Sequence, residues 1–121
     1  MNVAIVGLGR VGSEFLDQIS ILKDKGVHIL AAAELGDTPG KKEAADSGIE
    51  IKSAEDIAGM GESLDIIFDL TGNSEVRTSL RNTLKNSENK HTVIAPETFA
   101  YLVWSLINDK PLPDVHQHKG Y

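Results

Sequence analysis

Val3-Ala4-Ile5-Val6-Gly7-Leu8-Gly9-Arg10-Val11-Gly12-Ser13-Glu14-Phe15-Leu16 is the stretch whose reading decides the fold. Four apolar residues run directly into Gly-x-Gly-x-x-Gly, as a strand buried on both faces of a parallel sheet does. Behind the glycines Val11, Phe15, Ile19 and Leu22 recur at spacings of four and three, the period of an amphipathic helix. The glycines therefore occupy a tight strand-to-helix turn, and each has a task in the dinucleotide fingerprint. Gly7 permits the turn, Gly9 lets a pyrophosphate approach the backbone, and Gly12 lets the helix pack close to the strand. The helix N-terminus then presents free N–H groups and its positive dipole end to the phosphates.

The fingerprint also asks for an acidic residue about 20 positions further on, at the end of the second strand. Val27 to Ala33 reads as that strand and Glu34 ends it. A carboxylate there accepts ribose hydroxyls and repels a 2′-phosphate, which favours NAD. Lys41 and Lys42 follow the loop Gly36 to Gly40 and stand in reach of a 2′-phosphate, so NADP stays open. Their other reading is as solvated residues on the first turn of the second helix.

The 121 residues suit one domain, with a dinucleotide-binding unit over 1–108 and a tail over 109–121. A net charge of −6 argues against a nucleic-acid partner held through a general basic surface. The chain has no cysteine, which excludes disulfides and thiol catalysis and fits a cytoplasmic protein. No run reaches the roughly 18 apolar residues of a membrane span, and the start does not read as a signal peptide.

The remaining segments alternate in kind. A first helix ends near Lys25 with Gly26 as its left-handed cap. Lys41 to Ser47 reads as a short helix, Ile49 to Ile51 as a strand, and Ser53 as the cap of a brief third helix. Leu64 to Leu70 is a strong strand with Thr71-Gly72-Asn73-Ser74 as its exit turn. Asp69, at its end, points either into the crevice or at solvent. Asn73 or Ser74 caps a helix that buries Val76, Leu80 and Leu84 and leaves Arg77, Arg81 and Lys85 outside. His91 to Ala95 is a fifth strand, with His91 at the end away from the ligand. The expectation is a doubly wound parallel α/β sheet of five to six strands with helices on both faces. Gly7 to Arg10 should face Thr71 to Asn73 across one crevice, where the strand order reverses.

Pro96-Glu97 opens a last helix that is apolar nearly all round from Phe99 to Ile107. Phe99, Leu102, Val103 and Leu106 fill one buried stripe. Tyr101 and Trp104 then face elsewhere, covered by the tail or by a second copy or partner domain, which makes a homodimer through the 97–108 helix one expectation. His116-Gln117-His118 reads as part of a polar tail, and no metal site is expected.

With the fingerprint, Glu34 and the Thr-Gly-Asn turn in place, the chain resembles the N-terminal NAD(P)-binding Rossmann domain of the glucose–fructose oxidoreductase and inositol dehydrogenase family. It is similar also to the corresponding domains of homoserine and aspartate dehydrogenases. The resemblance implies pyrophosphate contact at Leu8, Gly9, Arg10 and Val11, ribose contact at Glu34, and nicotinamide-side contact at Leu70, Thr71, Gly72 and Asn73. Where the sugar-dehydrogenase family follows its fifth strand with Glu-Lys-Pro, this chain has Ala95-Pro96-Glu97 and no lysine. That leaves the catalytic residues unassigned. Two readings stand: a nucleotide-binding or redox-sensing module, and the cofactor domain of an NAD(P)-dependent oxidoreductase whose substrate domain is missing or comes from a partner. Coenzyme A is a third ligand to weigh, against which Glu34 speaks because of the 3′-phosphate that coenzyme A carries on its ribose.

Overall fold

The apolar run at the start forms β1 (Asn2–Val6), and the glycine turn delivers the chain into α1 (Arg10–Ser20). The computed structural model describes residues 1–108. After α1 come β2 (His28–Ala33), α2 (Pro39–Asp46), β3 (Glu50–Ile51), α3 (Ala54–Ala58), β4 (Ile66–Asp69), α4 (Ser74–Asn86), β5 (Val93–Ala95) and α5 (Glu97–Ile107). The tail with His116 and His118 lies outside the described residues.

The five strands are all parallel and stand in the order β3-β2-β1-β4-β5. Alternation along β1 sorts the core into two halves. Val3 and Ile5 meet Phe15, Leu16 and Ile19 of α1, Ala44 of α2 and Ala100 of α5. Ala4 and Val6 meet Ile57 and Ala58 of α3 and Leu80 and Leu84 of α4. Helices therefore cover both faces, the doubly wound arrangement expected. Phe15 stands edge-on to Phe68 of β4 with ring centroids 4.8 Å apart, a geometry worth about 1 kcal/mol beyond its buried area.

The helix starts follow capping chemistry. Thr38 Oγ1 accepts from the Lys41 N–H, Ser53 Oγ from that of Asp56, and Asn73 Oδ1 from that of Glu75. Asn73 rather than Ser74 is thus the cap of α4, and α2 starts two residues earlier than expected, at Pro39. The first helix does run out at Lys25, but its end tightens into a 3-10 turn over Ile21–Lys25. Gly26, at φ 86°, closes that turn.

Two packing expectations are overturned. Arg77 is buried rather than exposed, because its Nε–H donates to Asp69 Oδ2 at 3.0 Å and both side chains are almost wholly covered. Val76 is only half-buried. On α5 the buried residues are Glu97, Ala100 and Trp104. The small Ala100 lets the helix approach the core, and the Trp104 ring packs on Val11 of α1 with Tyr101 alongside. That rotation leaves Phe99, Leu102 and Leu106 exposed at 43%, 55% and 77%.

Candidate functional site

The three glycines of the first turn answer to different constraints. Gly7 has φ +99°, and a Cβ on it would lie 2.9 Å from the Leu70 carbonyl carbon. A Cβ on Gly12 would lie 1.8 Å from the Gly7 carbonyl oxygen, so helix and strand could not pack as they do. Gly9 meets neither constraint: its φ is −73° and a Cβ would find no atom within 4 Å.

Side chains from three directions hold the turn. The Leu8 N–H donates to Glu34 Oε1 at 2.7 Å, and the Gly36 N–H donates to Glu34 Oε2 at 2.8 Å. The Leu8 carbonyl accepts from Thr38 Oγ1 at 2.8 Å and from Ser13 Oγ at 3.0 Å. Glu34 thus ties the end of β2 to the glycine turn. The N-cap of α1 is Gly9 itself, which has no side chain to cap the helix, and among the described residues no side chain is seen bonded to the first-turn N–H groups. Those N–H groups have no intrahelical partner.

The exit turn of β4 is braced from below. Asp69 Oδ1 accepts from the Thr71 N–H and hydroxyl at 3.1 and 2.7 Å, while Asp69 Oδ2 takes the Arg77 guanidinium. Thr71 Oγ1 in turn accepts from the Asn73 N–H at 3.1 Å. Of the two directions open to Asp69, neither holds: its carboxylate is buried under the turn.

Between these turns lies a cleft of about 320 Å³, within the range of small-molecule sites. Val6, Ala33, Ala54, Leu70 and Val76 give it apolar walls, and Glu34, Lys52, Ser53, Thr71 and Asn73 add polar groups. It sits at the carboxyl ends of the strands, where β1 and β4 leave in opposite directions across the sheet, the usual ligand position in such folds.

Of the residues expected at a site, Gly7, Gly9, Glu34, Leu70, Thr71 and Asn73 line this cleft. Leu8, Val11 and Gly12 are buried, and Arg10 and Gly72 are exposed, none of them on its lining. Lys41 and Lys42 are absent from the lining too. Sequence reasoning missed Leu35, Lys52, Ser53, Ala54 and Val76. The position of Lys52 and Ser53 just past the third strand was the available signal, since ligands gather at strand carboxyl ends.

At the other end of the sheet His91 Nε2 lies 2.6 Å from Asp65 Oδ1, and Asp65 Oδ2 accepts the Asn2 N–H at 2.7 Å. These contacts, the Asn2 N–H foremost and His91 second, hold the Asp65 carboxyl below its usual range. This pair lies far from the cleft, as the sequence placed His91. Among the described residues no group of three potential ligands is placed to hold a metal, and no helix is long and apolar enough to cross a membrane.

No protein-family model matches the chain, and no curated protein matches it in sequence. Solved structures do match. A homoserine dehydrogenase of S. aureus at pH 7.0 aligns with TM-score 0.54 at 21% identity, covering 88% of this chain and 30% of its own. The same enzyme at pH 6.0 aligns with TM-score 0.54 at 24% identity, covering 88% and 29%. The likeness establishes the Rossmann-type fold, and the chain spans about 30% of the length of these neighbours.

Proposed function

We propose that the cleft binds a nicotinamide dinucleotide and that the domain acts as a nucleotide-binding or redox-sensing module. Gly9 carries this reading. The fold has an internal use for Gly7 and Gly12 but none for the missing side chain of Gly9, which borders the cleft. An open approach to the backbone at that point is what a pyrophosphate needs. The first-turn N–H groups of α1, from Arg10 and Val11, meet the phosphates. Glu34 stands at the ribose, since each carboxylate oxygen held by one amide keeps a lone pair for a hydroxyl. Leu70, Thr71 and Asn73 border the nicotinamide side. NAD is the first expectation, with NADP as the second; the Glu34 carboxylate disfavours coenzyme A. The cytoplasm, where such cofactors are abundant, is the location that fits.

A second reading is favoured by the likeness to homoserine dehydrogenase structures. In it the domain is the cofactor-holding part of an oxidoreductase, with substrate groups supplied by another domain or a partner. A homodimer or partner-domain contact through α5 belongs to either reading. Its surface is the exposed Phe99–Leu102–Leu106 stripe rather than Trp104.

Calorimetric titration with NADH, NADPH and coenzyme A tests the proposal, using the native chain and Gly9→Ala. Binding of a nicotinamide dinucleotide, weakened about tenfold or more in Gly9→Ala, is expected; tenfold is about 1.4 kcal/mol. The variant should keep its stability to within about 1 kcal/mol, the scale of an N-cap change. No binding by the native chain, or equal binding by Gly9→Ala, would overturn the reading.

A further inference from the structure

Resting on the dinucleotide reading, a finer assignment concerns which form of the cofactor the cleft accepts. The candidates raised by sequence for a 2′-phosphate are Lys41 and Lys42. They belong to α2, whose Ala44 packs into the α1 side of the core, and neither lines the cleft. The cleft instead takes walls from Val6, Ala33, Ala54 and Val76, which belong to the α3–α4 side.

Lys52 is the cation of the lining. Its N–H donates to the Ala32 carbonyl at 2.9 Å, extending the β2–β3 ladder by one step beyond Ile51. Lys52 therefore stands beside Ala33 at the end of β2 and shares the cleft lining with Glu34, where the adenosine ribose is expected. Its side chain is 28% exposed and its Nζ lies 3.1 Å from Glu50 Oε1, whose side chain is 65% exposed. A pair so open to solvent is weak, so a phosphate with two charges can draw Lys52 away from it.

We propose that Lys52 receives the 2′-phosphate of NADP and is the residue that sets coenzyme choice, so that the cleft admits NADPH as well as NADH despite Glu34. Glu50 competes with the phosphate for the same ammonium and holds that preference down.

The test is titration of the full chain with NADH and NADPH in the native form, Lys52→Met and Glu50→Gln. Lys52→Met should weaken NADPH by about tenfold, the scale of one charge-assisted contact, and change NADH by less than about threefold. Glu50→Gln should tighten NADPH by a few-fold and leave NADH alone. The NADPH affinity of the native chain should fall more steeply with salt than its NADH affinity. Equal loss of both cofactors in Lys52→Met, or no loss of either, overturns the assignment and leaves the dinucleotide reading standing. Binding of NADH but not NADPH by the native chain does the same. Failure of the native chain to bind either overturns both.

Discussion

Replacing Arg77 by alanine should destabilise the protein by about 3–5 kcal/mol, the usual cost of stranding one member of a buried ion pair. The Asp69 carboxylate would keep its two bonds from Thr71 but lose the guanidinium at 3.0 Å. Urea unfolding measures the loss, and a change under about 1 kcal/mol would mean the pair is not what braces the β4 turn. The sequence concealed this residue for a physical reason. Val76, Leu80 and Leu84 make an apolar stripe at helical spacing, but Arg77, Leu80 and Leu84 fit the same period and are the residues that the helix buries. Hydrophobicity alone selects Val76, whereas an acidic residue at a buried strand end selects Arg77. Gly7 and Gly12 were legible because their constraint is backbone geometry. The double grip of Glu34 on Leu8 and Gly36 was not, since it needs two loops brought together by the fold.

The packing of α2 on α1 sets an acidic residue of one helix against those of the other. Glu43 of α2 has its carboxyl pushed up to about 7 by a hydrogen bond with Asp17 of α1, with burial and the charges of Asp17 and Glu14 adding to it. A carboxyl raised above its unfolded value of 4.5 binds its proton more tightly in the folded chain. Its contribution is therefore complete below about pH 4.5 and is lost as the pH rises through about 7. Glu43→Gln keeps a hydrogen-bond donor for Asp17 at every pH and removes the repulsion. The variant should match the native chain near pH 5 and exceed it near pH 8, by less than about 1 kcal/mol because the site is open to solvent. Urea midpoints at the two pH values decide it: a constant difference would remove the Glu43–Asp17 coupling as its cause. The elements themselves were largely legible, strand by helix, because period and caps are local. The face that α5 turns to the core was not. With eight apolar residues in eleven, its period names no face, and Ala100 and Trp104 win it by shape, one small and one long enough to reach Val11.

At the scale of the molecule, the expected architecture followed from the glycine turn in its context, an apolar run before it, a helical period behind it and an acidic residue ending the next strand, which together describe the start of a doubly wound parallel sheet. The outer surface obeys different constraints. The chain carries a net charge of −6, which keeps copies apart, yet α5 presents an uncharged face. Its single charged residue, Glu97, is buried, and Phe99, Leu102 and Leu106 stand exposed at spacings of three and four. A two-fold contact places the same stripe on both sides, so it is apolar against apolar with no like charges at its centre. A second copy therefore suits this face better than a charged partner. The native chain is expected to sediment as a dimer, and Leu102→Asp with Leu106→Asp as a folded monomer, since both positions are solvent-facing. Trp104→Ala should behave differently and lose stability by about 3–5 kcal/mol through its packing on Val11. A native chain that sediments as a monomer at high concentration would assign the stripe to another domain instead. A double variant that remains dimeric would remove α5 from the interface.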